Sequence, residues 1–212
     1  MNAQTVRRLV AGPAGAVECA IDAPAAPAHG VALVCHPHPL HGGTLDNKVA
    51  LTLARAMVQL GYTSVRFNFR GVGGSAGRWD DGEGEVDDVL AVVAAHRTAG
   101  QPLVLGGFSF GAAMAGRTAA RLPEGERAER LVLVGPAMRS FPIPPVPADT
   151  LVVHGEKDDV VPLADVLDWA RPLSLPITVL PGAGHFFHGQ LTVLKNIITR
   201  GWPPRPADLK TP

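Results

Sequence analysis

The sequence predicts an α/β fold in which a mostly parallel β-sheet carries helices on both faces and an antiparallel hairpin at its N-terminal side. Short apolar runs alternate with longer helical stretches along most of the chain. Near the N-terminus, two strand-like segments are separated only by the Gly-Pro-Ala-Gly turn at residues 12–15. A length of 212 residues with 46% hydrophobic content fits one such domain, covering residues 1–212.

The order of the predicted elements supports this fold class. The hairpin is expected over residues 4–11 and 16–22, followed by strands at 31–35, 63–69, 103–107, 131–134, 151–154 and 177–180. Helices are expected at 46–60, 85–97, 109–122, 163–170 and 190–200, with Asp46 as the N-cap of the first. Strands separated by helices of this length imply right-handed crossovers, which place helices on both faces of the sheet.

Composition excludes several classes of partner. Lys plus Arg and Asp plus Glu number 19 each, so the chain lacks the positive field typical of proteins that bind nucleic acid or anionic membranes. The N-terminal segment has no apolar core of a secretion signal, and no run approaches the ~18 apolar residues of a membrane span. Cys19 and Cys35 lie in apolar stretches and predict buried thiols. We therefore expect a cytoplasmic protein whose partner is a small molecule; its oligomeric state stays open.

The most informative motif is Gly-Phe-Ser-Phe-Gly at residues 107–111, between a predicted buried strand and a predicted helix. The two glycines permit a sharp strand-to-helix turn that lifts the side chain of Ser109 out of the sheet. The helix that follows directs its N-terminal dipole at the same point. Ser109 is therefore the candidate nucleophile.

A serine hydroxyl needs a histidine base, and that base needs an acid that orients it. With a nucleophile on this kind of turn, the acid and then the histidine are expected after later strands. Asp158 follows the predicted strand at 151–154 and is favoured over Asp159, which could instead cap a helix or face solvent. His185 follows the last predicted strand and is favoured over His188.

Two backbone N–H groups are expected to stabilise the oxyanion of the reaction. One belongs to Phe110, the residue after the nucleophile, and the other to the loop after the strand at 31–35. Pro37 and Pro39 lack an N–H group, so His38 is the first choice in that loop and Leu40 the second.

Two other interpretations of polar motifs have less support than the serine nucleophile. His36, His38 and His41 could suggest a metal site, but prolines restrict the backbone between them and no second ligand cluster is evident, so we expect neither a metal nor a cofactor. The glycine-rich segment at 71–77 superficially resembles a dinucleotide-binding turn, yet it does not open directly into a helix.

The surroundings of the site bear on the substrate. Arg70 is a candidate contact for a substrate carboxylate, although an ion pair with Asp87 or Asp88 is an alternative role. The connector at 139–149 is too short to form a lid domain. We therefore expect an open site with little apolar wall, which favours esters of small acyl groups.

Together these motifs resemble small bacterial α/β-hydrolases of roughly 210 residues, usually described as predicted carboxylesterases. The resemblance spans nearly the whole chain and rests on CHPHP at 35–39, GG at 42–43, NKV at 47–49, RFNFRGVG at 66–73, GFSFG at 107–111, HG at 154–155 with Asp158, and HFFH at 185–188. It implies a Ser109, Asp158 and His185 triad, no lid, and hydrolysis of esters. Thioester or lactone hydrolysis, acyl transfer, and a non-catalytic scaffold are the alternatives.

Overall fold

The computed structural model describes residues 5–202. Its strands are Val6–Gly12 (β1), Gly15–Asp22 (β2), Gly30–Cys35 (β3), Tyr62–Phe67 (β4), Leu103–Phe108 (β5), Arg130–Val134 (β6), Leu151–Gly155 (β7) and Ile177–Leu180 (β8). Its α-helices are Lys48–Gln59 (α1), Glu83–His96 (α2), Phe110–Arg121 (α3), Leu163–Ala170 (α4) and Leu191–Arg200 (α5). Short 3-10 turns occur at Pro39–His41, Glu124–Glu126 and Arg171–Leu173.

The strands form an eight-stranded sheet in the order β1-β2-β4-β3-β5-β6-β7-β8. β1 pairs antiparallel with β2, and β2 pairs antiparallel with β4, whereas the neighbours from β4 through β3 to β8 pair in parallel. The predicted mostly parallel sheet with an antiparallel N-terminal hairpin is therefore confirmed. Gln4, the predicted first residue of the hairpin, and the Pro-rich segment from Pro203 onward lie outside the described residues.

The two faces of the sheet have separate hydrophobic cores, as β3 illustrates. Val31, Leu33 and Cys35 pack on the face covered by α2, α3 and α4. Ala32 and Val34 point to the opposite face, which α1 and α5 cover. Because successive side chains of a strand alternate between faces, a continuous apolar run is what burial on both sides requires. Helices on both faces, as expected, hold the carboxyl ends of the parallel strands in fixed positions.

The predicted cap of the first helix is wrong by one residue. The side chain of Asn47, rather than Asp46, accepts hydrogen bonds from the N–H groups of the second and third residues of α1. Asp46 instead forms ion pairs with Arg7 at 2.7 Å and with the buried Arg66 at 3.2 Å. Two arginines that are distant in the chain hold the carboxylate of Asp46, and the side-chain amide of Asn47 accepts the free N–H groups at the start of α1.

The chain between β6 and β7 confirms the absence of a lid. Residues 135–150 contain neither a helix nor a strand, and the buried side chain of Ile143 packs against Gly116 of α3. The connector therefore lies along the body of the protein as a strap. In the described part of the chain, no helix has the length and apolar character that a membrane span needs.

Candidate active site

The turn between β5 and α3 holds Ser109 in a conformation that few side chains adopt. Its φ is 56° and its ψ is −118°, outside the common regions for residues with a Cβ atom. A Cβ at Gly107 would collide with the backbone of Gly111, and one at Gly111 would collide with the carbonyl oxygen of Cys35. Both glycines are thus required by close backbone approach, and the turn between them presents Ser109 at the carboxyl edge of the sheet.

His185 lies between Ser109 and Asp158. Its Nε2 atom is 3.1 Å from the Oγ of Ser109, and its Nδ1 atom is 2.7 Å from Oδ2 of Asp158. A carboxylate can only accept, so Nδ1 carries the proton in the neutral ring, and Nε2 is left to accept a proton from the serine hydroxyl. The loops after β5, β7 and β8 bring these three residues together across separations of 76 and 27 residues in the chain.

The carboxylate of Asp158 is held by the loop that carries it. Its Oδ1 atom accepts the backbone N–H groups of Val160 at 3.0 Å and Val161 at 2.7 Å. Burial by itself would raise the pKa of Asp158, but the hydrogen bonds from His185 and Val161 outweigh it and lower that pKa below its ordinary value. The group is therefore ionised at neutral pH and fixed in orientation.

The alternatives that the sequence left open for the acid and the base lie elsewhere. The side chain of Asp159 is exposed, whereas Asp158 is buried against His185. His188 is also exposed, and its ring packs against Phe186 rather than against the serine. The structure thus brings Asp158 and His185 to Ser109 and leaves Asp159 and His188 in solvent.

The loop after β3 faces the same turn. The N–H group of Leu40 donates to Nδ1 of the His38 ring at 3.2 Å and is therefore already engaged. Within residues 5–202, the N–H group of His38 makes no hydrogen bond. Phe110 is the first residue of α3, a position whose N–H group has no acceptor inside its own helix. Within residues 5–202, the N–H groups of Phe110 and His38, the first choices made from the sequence, are thus both without an acceptor.

Comparisons with known proteins agree with this architecture. The family model described as serine aminopeptidase, S33, matches residues 36–148, which include Ser109 but end before Asp158. A solved α/β serine hydrolase without a lid from Xanthomonas campestris is 37% identical, with a TM-score of 0.84 over 100% of this chain and 99% of that one. An α/β serine hydrolase homologue from Coxiella burnetii is 38% identical, with a TM-score of 0.83 over 93% of this chain and 97% of that one.

The chain belongs to the lidless α/β serine hydrolases. An uncharacterised protein of Rickettsia prowazekii is a further relative, 34% identical over 83% of this chain and 79% of that protein. Sequence and fold together thus support the conclusion that this protein is a hydrolase. The assignment of individual site residues depends on the geometry described above.

A buried histidine orders the loop after β3 of this hydrolase. The ring of His36 donates from Nδ1 to the carbonyl oxygen of Pro37 at 2.6 Å and accepts at Nε2 from the N–H group of Phe69 at 3.1 Å. Burial lowers the pKa of His36 to about 4, so the ring is neutral at neutral pH, as its accepting nitrogen requires. His36 thereby ties the loop after β3 to the chain that leaves β4. In the described part of the chain, no three metal-ligating side chains converge, and both ring nitrogens of His36 are occupied.

The burial of His36 predicts a loss of stability in mild acid. The unfolded chain binds a proton at this histidine below a pKa of 6.5, whereas the folded chain does so only below about 4, so stability falls as pH falls from 7 towards 4. At pH 5 the contribution amounts to about 2 kcal/mol. The difference in free energy of unfolding between pH 7 and pH 5, measured by urea titration, should shrink by about that amount in His36→Gln. The exposed His188→Gln is the matched control, and an unchanged difference in His36→Gln would contradict the assignment.

A second buried histidine, His154, supports the loop that carries Asp158; it belongs to the motifs of the family resemblance, but the sequence predicted no role for it. Nε2 of His154 donates to the carbonyl oxygen of Val161 at 2.9 Å and lies 3.5 Å from Oδ2 of Asp158. Its Nδ1 atom is buried and has no partner among the described residues. Burial lowers the pKa of His154 and keeps the ring neutral. The signal in the sequence was a histidine at the end of a buried strand, where the other side chains are apolar.

The structure shows Arg70 in the ion pair that the sequence offered as the alternative to a substrate contact. Its Nε and Nη2 atoms donate to the two carboxylate oxygens of Asp88 at 3.0 and 2.8 Å, and Nη1 lies 3.6 Å from Asp80. Asp88 is fully buried and needs this bidentate partner, since an unpaired buried carboxylate is costly. Arg70 therefore fixes the chain after β4 onto α2, which is the ion-pair alternative.

Four aromatic rings pack against one another around His38 and Phe110, the two residues whose N–H groups are candidate oxyanion donors, and they alter the expectation that the site offers little apolar wall. We call His38, Trp79, Phe110 and Phe141 the aromatic wall. The ring centroid of His38 lies 4.5 Å from that of Trp79 and 5.3 Å from that of Phe110, and Phe110 lies 4.8 Å from Phe141. Phe141 comes from the strap between β6 and β7, so the segment that is too short to form a lid supplies a ring to the aromatic wall.

Proposed function

We propose that this protein is a serine esterase that hydrolyses carboxylic esters through an acyl-enzyme. The observation that carries the proposal is the continuous hydrogen-bonded series from Asp158 through His185 to Ser109, at 2.7 and 3.1 Å. A buried, oriented base within reach of a serine hydroxyl is the arrangement that nucleophilic catalysis requires. The cytoplasmic location expected from the sequence stays a prediction.

In the proposed reaction, Nε2 of His185 accepts the proton of Ser109 as Oγ attacks the carbonyl carbon of the ester. The resulting oxyanion is stabilised by the N–H groups of Phe110 and His38. The tetrahedral intermediate collapses as the imidazolium donates its proton to the departing alcohol, which leaves an acyl group on Ser109. Water, deprotonated by His185, then attacks the acyl-enzyme and releases the acid. The carboxylate of Asp158 stabilises the imidazolium in both steps.

The proposal is tested by chemical labelling followed by a substrate panel. A fluorophosphonate probe should modify the folded protein stoichiometrically, and peptide mass spectrometry should place the adduct on Ser109. The exposed nearby Ser140 is the internal control and should stay unmodified. A native protein that does not react, or that reacts equally at Ser140, contradicts the proposal and favours a non-catalytic scaffold.

The panel then separates reactions that use the same residues. It contains an oxygen ester, a thioester, a lactone and an aminoacyl amide, the last because the matching family model is described as a serine aminopeptidase. The oxygen ester is expected to be cleaved fastest, and products formed with added alcohols or amines measure acyl transfer. If the thioester, the lactone or the amide is cleaved faster than the oxygen ester, that compound class becomes the proposed substrate. The proposed roles of Ser109 and His185 would not change.

A further inference from the structure

Large apolar side chains are exposed on three of the loops that carry candidate site residues. The exposed large hydrophobic residues of the described chain are Val6, Leu9, Leu40, Val160, Leu167, Phe186 and Val193. Three of them, which we call the apolar rim, follow directly on loops that carry site residues: Leu40, Val160 and Phe186, with exposed fractions of 65%, 58% and 47%. Exposed apolar groups that cluster at a cleft mark a surface that a ligand covers.

Each rim residue is held by a contact with the site residue beside it. The N–H group of Leu40 bonds to the ring of His38 at 3.2 Å, and that of Val160 bonds to Asp158 at 3.0 Å. The ring of Phe186 lies 5.1 Å from the ring of His185, edge to face. The rim is therefore part of an ordered frame around Ser109.

The aromatic wall is connected to this frame through His38, whose ring accepts the N–H group of Leu40. Its members come from the loops after β3, β4 and β6 and from the start of α3, and all but the buried Phe110 keep part of their surface in solvent. The N–H groups of His38 and Phe110 are the ones that face a substrate carbonyl oxygen in the proposed reaction. The alcohol oxygen must lie against His185 to receive its proton. The substituent that reaches the wall is therefore the acyl group.

We propose that the site selects esters with an aromatic acyl group, whose ring packs on the aromatic wall while the rim covers the remaining apolar surface. This inference depends on the proposed esterase function and replaces the small acyl groups expected from the sequence. The partly exposed rings of His38, Trp79 and Phe141 offer offset and edge-to-face contacts to a flat aromatic group. A small acyl group would leave both the wall and the rim in water.

The experiment compares two p-nitrophenyl esters with the same leaving group, the propanoate and the 3-phenylpropanoate. Both present a CH₂ group next to the carbonyl, so their intrinsic reactivities are similar and the added phenyl ring is the variable. The ratio of kcat/KM values, 3-phenylpropanoate over propanoate, is expected to be about 10 to 100 for the wild type. Trp79→Leu and Phe141→Leu keep apolar volume but remove a ring, and each should lower the ratio about 3- to 10-fold.

Val193→Ala, on the outer surface of α5, is the matched control and should leave the ratio unchanged. Thermal unfolding of each variant shows whether it is folded, and because the readout is a ratio within one protein, partial loss of folded enzyme does not affect it. A wild-type ratio near 1, or a high ratio that both ring variants retain, overturns the inference. Labelling of Ser109 with a ratio near 1 would leave the esterase proposal standing, whereas absence of labelling would remove both.

A second copy of the chain is the competing occupant of the rim. Sedimentation across a range of protein concentrations tests this, with Leu40→Ser as the variant. A monomer at all concentrations supports a substrate as the occupant. A dimer that Leu40→Ser dissociates would assign the rim to self-association and overturn that part of the inference.

Discussion

Replacement of Ser109 by alanine is expected to lower kcat/KM for a reactive aryl ester by about 10³- to 10⁶-fold. Among the described residues, the hydroxyl that lies within hydrogen-bond distance of Nε2 of His185 is that of Ser109, at 3.1 Å, so we expect no other hydroxyl to take over its role. What remains is the stabilisation that the N–H groups of Phe110 and His38 give to attack by water. Initial rates with p-nitrophenyl 3-phenylpropanoate and p-nitrophenyl acetate measure the loss.

The control for this variant is Ser140→Ala, which alters an exposed serine in the strap near the site. It should hydrolyse both esters at the wild-type rate. Ser109→Ala keeps the strained φ of 56° and changes only the hydroxyl, so thermal unfolding should be nearly unaffected. Hydrolysis by Ser109→Ala within a factor of ten of the wild type would rule out Ser109 as the nucleophile.

Replacement of Asp158 by asparagine is expected to lower kcat by about 10⁴-fold. The carboxylate accepts the Nδ1 proton of His185 at 2.7 Å and so leaves Nε2 free to act as the base. An amide has an NH₂ group that can donate to Nδ1, which moves the ring proton to Nε2, the nitrogen that has to accept from Ser109. The asparagine also carries no charge to stabilise the imidazolium that forms during the reaction.

Asp159→Asn is the matched control, because it makes the same chemical change one residue away on an exposed side chain. It is expected to keep kcat within about twofold of the wild type. The rates of both variants are compared across pH 6 to 9, since a slow variant with the wrong tautomer should recover partly as hydroxide concentration rises. A large loss in Asp159→Asn with little loss in Asp158→Asn would reverse the assignment of the acid.

The elements that the sequence predicted well are those whose signal is local. β3 is buried on both faces and reads as a continuous apolar run, so its position differs from the prediction by one residue. The start of a helix differs from its prediction where a residue distant in the chain binds the predicted cap. Asp46 is a good N-cap by residue type, yet Arg7 and Arg66 occupy its carboxylate, and Asn47 caps α1 instead. No pattern within the helix itself contains that information.

The residues of the candidate site also differ in how far the local sequence predicts them. Ser109 follows from five consecutive residues, because the steric requirement for glycine on both sides of a sharp turn is written in the local sequence. Asp158 and His185 are predicted from the expected chain order of nucleophile, acid and histidine, and from their positions just after predicted strands. The choice between Asp158 and Asp159 was a preference until the structure showed which carboxylate accepts the N–H groups of Val160 and Val161.

By itself, then, the sequence determined the α/β architecture, the nucleophile turn and the absence of a lid, since each depends on periodicity, glycine positions or connector length. Only the tertiary structure decided that Arg70 pairs with Asp88, that His154 bonds to the loop that carries Asp158, and that aromatic rings from four segments pack together around His38 and Phe110. The reason is physical: Arg70 and Asp88 lie 18 residues apart, the rings come from separate segments, and His154 reaches Val161 only through the conformation of the loop between them. The energies of these contacts depend on distances that close only when the sheet and its loops are assembled.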